Sequence, residues 1–244
     1  MPDPSGWELI RCVAFDAVGT LIFPDPPVAE VYARVARECG SRLTNAEIEA
    51  NFRAAFRRQE SADFVSGPAT NWQTPDGLRS SEPRERDRWR TIVAESIPDA
   101  ADPRRCFERL FEHFGRPEAW GCFADVAPTL EELSRRGYRL LIASNFDARL
   151  EPVWRGRTEL AAIERCVVSS LVGFRKPSPV FFHHLVEAAG CARDAVLMVG
   201  DDEACDVRGA REAGLRAVRV CRCGEGGDDS LQSLEQLLDV LPGT

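Results

Sequence analysis

A chain of 244 residues, 44% hydrophobic and 29% charged, can bury a sizeable core with a smaller insert and is too apolar to be globally disordered. With 39 acidic against 31 basic residues the net charge is −8, and no basic stretch is free of acidic neighbours, so nucleic acid is excluded as an expected partner. No apolar run approaches the roughly 18 residues of a membrane span, and the opening MPDPSGWELIRCVAF places Pro and acidic residues where a signal peptide needs a basic start and an apolar run. A cytoplasmic chain without a membrane partner is expected. Its nine cysteines are scattered, with only Cys221 and Cys223 close, which suits reduced thiols better than a disulfide or zinc framework.

In chain order, the apolar run at 12–15 reads as a buried strand. From about residue 24 to 120 the periodic segments 28–39, 44–59, 84–97 and 104–114 read as helices with no convincing strand between them, interrupted at 61–83 by a Pro/Ser/Gly-rich loop. Thr44 and Glu47 have the spacing of a capping box at one helix start. Beyond residue 120, strands are read at 138–143, 166–169, 195–199 and, more weakly, 217–220. Helices at 128–136, 179–189 and 206–213 alternate with them, each followed by a glycine, Gly137, Gly190 or Gly214. Alternating strands and helices imply an α/β fold with a parallel sheet. A helical insert leaving from the end of the first strand would cover the carboxyl edge of that sheet, where such folds bind ligands.

Four strand ends carry reactive groups. Asp16 ends the first strand and is followed by Val18, Gly19 and Thr20. Ser144 and Asn145 end another, and Lys176 precedes a helix. Asp201, Asp202 and Asp206 follow the strand at 195–199. Taken singly, a strand-end Asp caps a turn, a Ser caps a helix, and acidic residues suit a helix N-terminus. Lys176 resists such a reading: of the 31 cations, 30 are Arg and it is the single Lys, placed before a helix where a cation is disfavoured unless it serves an anion. Together these are the parts that bind a divalent cation and a phosphate: hard oxygen ligands, a hydroxyl and a compact ammonium.

In this order the motifs resemble those of the haloacid dehalogenase (HAD) superfamily, over residues 10–23 and 121–222. The resemblance implies a Rossmann-like core (1–23 and 121–244) carrying an inserted all-helical cap of the C1 type (24–120). It implies a hydrolase for a small phosphorylated substrate, with Asp16 as nucleophile and metal ligand and Mg²⁺ as cofactor. The Val18 backbone carbonyl and Asp201 would complete the metal ligands. Thr20, Ser144 and Asn145 would meet the phosphoryl group, Lys176 would neutralise it, and Asp206 and Asp202 would lie outside the direct ligands.

The first motif departs from the family. Where its phosphatases have a second Asp as general acid and base, this chain has Val18 in Asp16-Ala17-Val18-Gly19-Thr20, and losing such a group typically costs about 10²–10⁴ in rate. Impaired or substrate-restricted phosphatase activity is therefore expected. Two readings stand beside it. The 2-haloacid dehalogenases lack that Asp too, but generally lack the acidic pair that this chain keeps at Asp201 and Asp202. A catalytically silent phosphate- and metal-binding protein would also keep Asp16 and Lys176. A Schiff-base mechanism using a cap lysine is closed to a chain with no Lys between 24 and 120.

Overall fold

The structure is a computed structural model and describes residues 6–65, 78–222 and 230–242, without the side chains of 61–65. Its strands are β1 (Cys12–Phe15), β2 (Ile22–Pro24), β3 (Trp120–Cys122), β4 (Arg139–Ser144), β5 (Arg165–Val168), β6 (Val196–Gly200), β7 (Arg216–Val220) and β8 (Ser230–Leu231). Six of them form a parallel sheet in the order β5-β4-β1-β6-β7-β8. In β1, Val13 and Phe15 pack into one apolar cluster and Cys12 and Ala14 into another. Burial on both faces explains why the strand reads as an unbroken apolar run rather than an alternating one. Each fully buried Phe or Leu in these clusters contributes about 1.5–3 kcal/mol relative to exposure.

The order places β1 between β4 and β6, where the chain's progress across the sheet reverses direction. This is the topological switch point at which doubly wound sheets bind ligands beyond the strands' carboxyl ends. Asp16, Ser144 and Asp201 therefore leave three adjacent strands at one edge. The strand at 12–15 is found as read, three others are displaced by one residue, and the one read at 217–220 begins one residue earlier.

Between β2 and β3 lie α1 (Val28–Glu38), α2 (Asn45–Val65), α3 (Glu82–Ser96) and α4 (Pro103–His113). They share their own core, including Val31, Val35, Ile48, Val93, Phe107 and Leu110. Ser81 and Asp102 cap α3 and α4 by accepting from the N–H groups of Arg84 and Arg105. The capping box at Thr44 closes in both directions: Thr44 N donates to Glu47 at 2.8 Å and Glu47 N to Thr44 Oγ1 at 3.3 Å. The expected 61–83 loop is shorter than its composition suggested, because α2 runs on to Val65; residues 66–77 of it lie outside the described residues.

Strands were not expected at the ends of the helical segment, yet β2 and β3 form an antiparallel ribbon pairing Phe23 with Gly121 and Pro24 with Trp120. The ribbon straddles both expected boundaries. Gly121 allows close packing there, because a Cβ would lie 2.6 Å from the tip of the Phe23 ring and would push it aside. The remaining helices are α5 (Val126–Arg135), α6 (Leu150–Arg155), α7 (Ser169–Val172), α8 (Pro179–Ala189), α9 (Gly209–Glu212) and α10 (Leu237–Val240). Among the described residues no helix is long and apolar enough to cross a membrane.

Candidate active site

Lys176 is the hub of the site. Its Nζ donates to Asp16 Oδ1 at 2.7 Å, Asp206 Oδ1 at 2.6 Å and the Ala143 carbonyl at 2.7 Å. All three hydrogens of a buried ammonium are thus used, which satisfies a group that would otherwise be costly to desolvate. Burial alone would push the Lys176 pKa down, but the charges of Asp16 and Asp206 and their hydrogen bonds outweigh it and hold the pKa above the ordinary lysine value.

Carboxylate oxygens of Asp16, Asp201 and Asp206 all lie within 4.8 Å of one another. With all three ionised around one ammonium, the cluster holds two negative charges in excess. Asp201 registers this: burial and then the charge of Asp16 raise its pKa to about 6, with the Thr20 hydrogen bond working against the rise. Burial likewise raises that of Asp206, opposed by Lys176. A hard divalent cation fits such a donor set, since it would remove the repulsion that these shifts express.

The local backbone is shaped to bring the carboxylates together. After β6, Asp202 caps a π-helical turn (Glu203–Arg208) by accepting from Ala204 N and Cys205 N, both at 2.8 Å. That turn returns Asp206 to the site, where its Oδ2 accepts from Asp202 N at 3.1 Å. The helix expected at 206–213 thus begins earlier, in the wider winding that often marks functional positions. Two glycines are required. Gly19 has φ 90° and a Cβ on it would sit 2.6 Å from Asp201 Oδ2, while a Cβ on Gly200 would overlap the Asp206 carboxylate.

Two residues expected at the phosphoryl group also hold their neighbours in the site. Thr20 is fully buried and its hydroxyl donates to Asp201 Oδ1 at 3.0 Å, so it orients that carboxylate. Asn145 spends both ends of its amide on the Lys176 backbone, accepting from its N–H at 2.7 Å and donating to its C=O at 3.0 Å. It is a clamp on the loop that presents the ammonium. Ser144 and Val18 line the cavity beside Asp16, Lys176 and Asp201.

The loop carrying Lys176 is braced from the helical segment, a feature with no sequence signal. Ser80 N donates to Gly173 O at 2.9 Å and Arg175 N to Leu78 O at 2.8 Å, and Arg79 pairs with Phe174 in an antiparallel bridge. The buried Arg175 guanidinium meets both oxygens of Glu85, at 3.1 and 3.2 Å, and Ser80 Oγ donates to Glu85 Oε1 at 2.7 Å. Removing one partner of a buried ion pair leaves an uncompensated charge and typically costs about 3–5 kcal/mol. Glu85→Ala should therefore unfold at clearly lower denaturant concentration than wild type; an unchanged midpoint would show that Arg175 finds water or another acceptor.

The cavity has a volume of about 520 Å³ and extends from Asp16 and Lys176 into the four-helix segment. Residues 10–214 match the haloacid dehalogenase-like hydrolase family. The chain belongs to that family. Over 217 residues it is 31% identical to haloacid dehalogenase-like hydrolase domain-containing protein 3 of Mus musculus, covering 86% of this chain and 82% of that one. It is 32% identical to the phosphoserine phosphatase of Thermus thermophilus over 133 residues, 54% of this chain and 53% of the enzyme. Among solved structures, the HAD-hydrolase YfnB of Bacillus subtilis, solved bound to magnesium, superposes with a TM-score of 0.69 at 18% identity, covering 96% of this chain and 99% of the other. The fold is therefore the Rossmann-like HAD fold, and the chain is a HAD-like hydrolase.

Proposed function

We propose that this chain is a Mg²⁺-dependent phosphohydrolase of small phosphate esters, working through an aspartyl-phosphate on Asp16, with residues 24–120 as the cap over a core of 1–23 and 121–244. The observation that carries the reading is the Lys176 ammonium, buried at the inner end of the cavity between Asp16 and Asp206. A single lysine in an arginine-rich chain, placed there, suits an anion that approaches Asp16. The phosphatase relative and the magnesium-bound neighbour point the same way.

Asp16 and Asp201, with the Val18 carbonyl, would hold Mg²⁺, which when bound offsets charge on the phosphoryl oxygens. One carboxylate oxygen of Asp16 attacks phosphorus while the bond from phosphorus to the leaving oxygen breaks, and that oxygen takes its proton from water. Water then attacks phosphorus in the aspartyl-phosphate, releasing inorganic phosphate and restoring the carboxylate. Lys176 stabilises the transferred charge, Ser144 donates to a phosphoryl oxygen, and Asn145 and Asp206 hold Lys176 in place. Thr20 holds Asp201. Val18 has no proton to give, so activity is slow or restricted to esters that need none.

The reading is tested by incubating the protein with an aryl phosphate with and without Mg²⁺, and with a 2-haloacid. Phosphate release that requires Mg²⁺, without halide release, is expected. Halide release, or no phosphate under any condition, would refute it. Lys176→Arg should lose most of this activity and of the affinity for inorganic phosphate, because a planar fork cannot replace a three-way point donor among Asp16, Asp206 and Ala143 O. Retained activity in a folded Lys176→Arg protein would mean that charge alone suffices.

A further inference from the structure

The cavity wall and the committed state of its acids bear on the substrate. Within the four-helix segment the wall is aromatic: Tyr32, Phe52, Phe56, Trp89, Phe114 and Trp120 all line it. They form one connected set, with ring centroids 4.8 Å apart for Tyr32 and Phe52, 5.8 Å for Phe52 and Phe56, 6.1 Å for Phe56 and Trp89, 6.3 Å for Tyr32 and Phe114, and 6.0 Å for Phe114 and Trp120. Sugar and amino-acid phosphates need convergent polar groups on their organic part, and apart from one Arg88 nitrogen the charged side chains of this wall are engaged elsewhere. Arg175 is held by Glu85. Arg149 is spent on Asp147, at 2.7 and 2.8 Å, and on the Phe111 carbonyl at 3.0 Å. Glu60 and Arg88 also have partners, although the buried Arg88 Nη2 makes no hydrogen bond.

A second, independent observation concerns the leaving oxygen. Val18 supplies no proton. Asp202 accepts two backbone N–H groups, Asp206 accepts from Lys176 and Asp202 N, and Glu85 accepts from Arg175 and Ser80. Burial pushes the Tyr32 phenol up, making it a poorer acid. Asp16 and Asp201 are assigned to the nucleophile and the cation, and among the described residues every other carboxyl of the wall has a partner already. A leaving oxygen here departs as an anion. Phenol-type oxygens have a pKa of about 10, whereas an alkanol resembles water, at about 15.7.

From these two observations together we infer that the substrates are aryl phosphate monoesters, with a flat ring system seated among the cap aromatics and the phosphate bonded through a phenol-type oxygen. The inference rests on the phosphohydrolase reading. Aromatic packing rewards a flat ring by offset or edge contacts beyond simple burial, and the cavity volume is in the range for small organic ligands.

The test compares kcat/KM of the full chain with Mg²⁺ for phenyl, 2-naphthyl, cyclohexyl and glycerol phosphates, alongside binding of phenylphosphonate and 2-hydroxyethylphosphonate followed by tryptophan fluorescence or calorimetry. Phenyl phosphate should exceed cyclohexyl phosphate, similar in size but puckered and with an alkanol leaving oxygen, by about 10² or more, the usual worth of a general acid. The 2-naphthyl ester should exceed phenyl, and phenylphosphonate should bind about tenfold tighter than its polar counterpart through ring burial. Cyclohexyl or glycerol phosphate turned over as well as phenyl phosphate, or equal phosphonate affinities, would overturn this inference alone. Hydrolysis of none of the four esters would overturn the phosphohydrolase reading and this inference with it.

Discussion

Asp16→Asn should remove turnover of any phosphate ester by about 10⁴–10⁶, the scale seen when a hydrolase loses its nucleophile, and should abolish acid-stable trapping of a phosphorylated protein. A factor of 10⁴ corresponds to about 5.5 kcal/mol of transition-state stabilisation. The amide has nearly the shape of the carboxylate, so the site survives in outline: its Oδ1 can still accept from Lys176, now 2.7 Å away. What changes is charge. Lys176 keeps Asp206 and Asp201 gains relief, because the Asp16 charge is one of the causes of its raised pKa. The variant should therefore fold as well as wild type, and its inactivity should not come from collapse. A folded Asp16→Asn protein with wild-type turnover would move the nucleophile elsewhere and sink the mechanism.

Much of this site was legible because its residues are anchored to elements that the sequence announces. Asp16 follows an apolar run too short for a helix, and Lys176 stands out in a chain whose other cations are all Arg. Gly137, Gly190 and Gly214 mark helix ends, and all three adopt positive φ. What the sequence left hidden shares a cause. Thr20 finds Asp201 across 181 residues, and Asn145 finds Lys176 across 31; partners so distant along the chain leave no local signal. β2 and β3 have three residues each, below the length at which alternation can be recognised. The brace from Leu78 and Ser80 onto the Lys176 loop is made by backbone groups, which leave no trace in residue identity.

That separation between local signal and distant partner gives Val18 its significance, since it is the one site position whose chemistry is absent rather than redirected. Val18→Asp should raise Mg²⁺-dependent hydrolysis of alkyl phosphates by up to about 10²–10⁴, with a smaller gain for aryl phosphates. Val18 lines the cavity alongside Asp16 and Asp201 and is half-buried, so a carboxyl there can reach solvent-exchanged protons and the bound ester. It would also join a cluster already rich in negative charge. Asp201, in that setting, has its pKa raised to about 6, and a new neighbour should be raised for the same reasons of burial and like charge. A carboxyl with a pKa in that range is protonated often enough near neutrality to donate to a leaving oxygen, and its conjugate base can then activate the water that attacks the aspartyl-phosphate. The gain should follow leaving-group basicity, largest for alkanols and smallest for phenols, and a plot of log kcat/KM against leaving-group pKa should flatten in the variant. An inert, folded Val18→Asp protein that still binds Mg²⁺ would count against phosphoryl transfer at this site, and a gain confined to aryl esters would show that the new carboxyl does not reach the leaving oxygen.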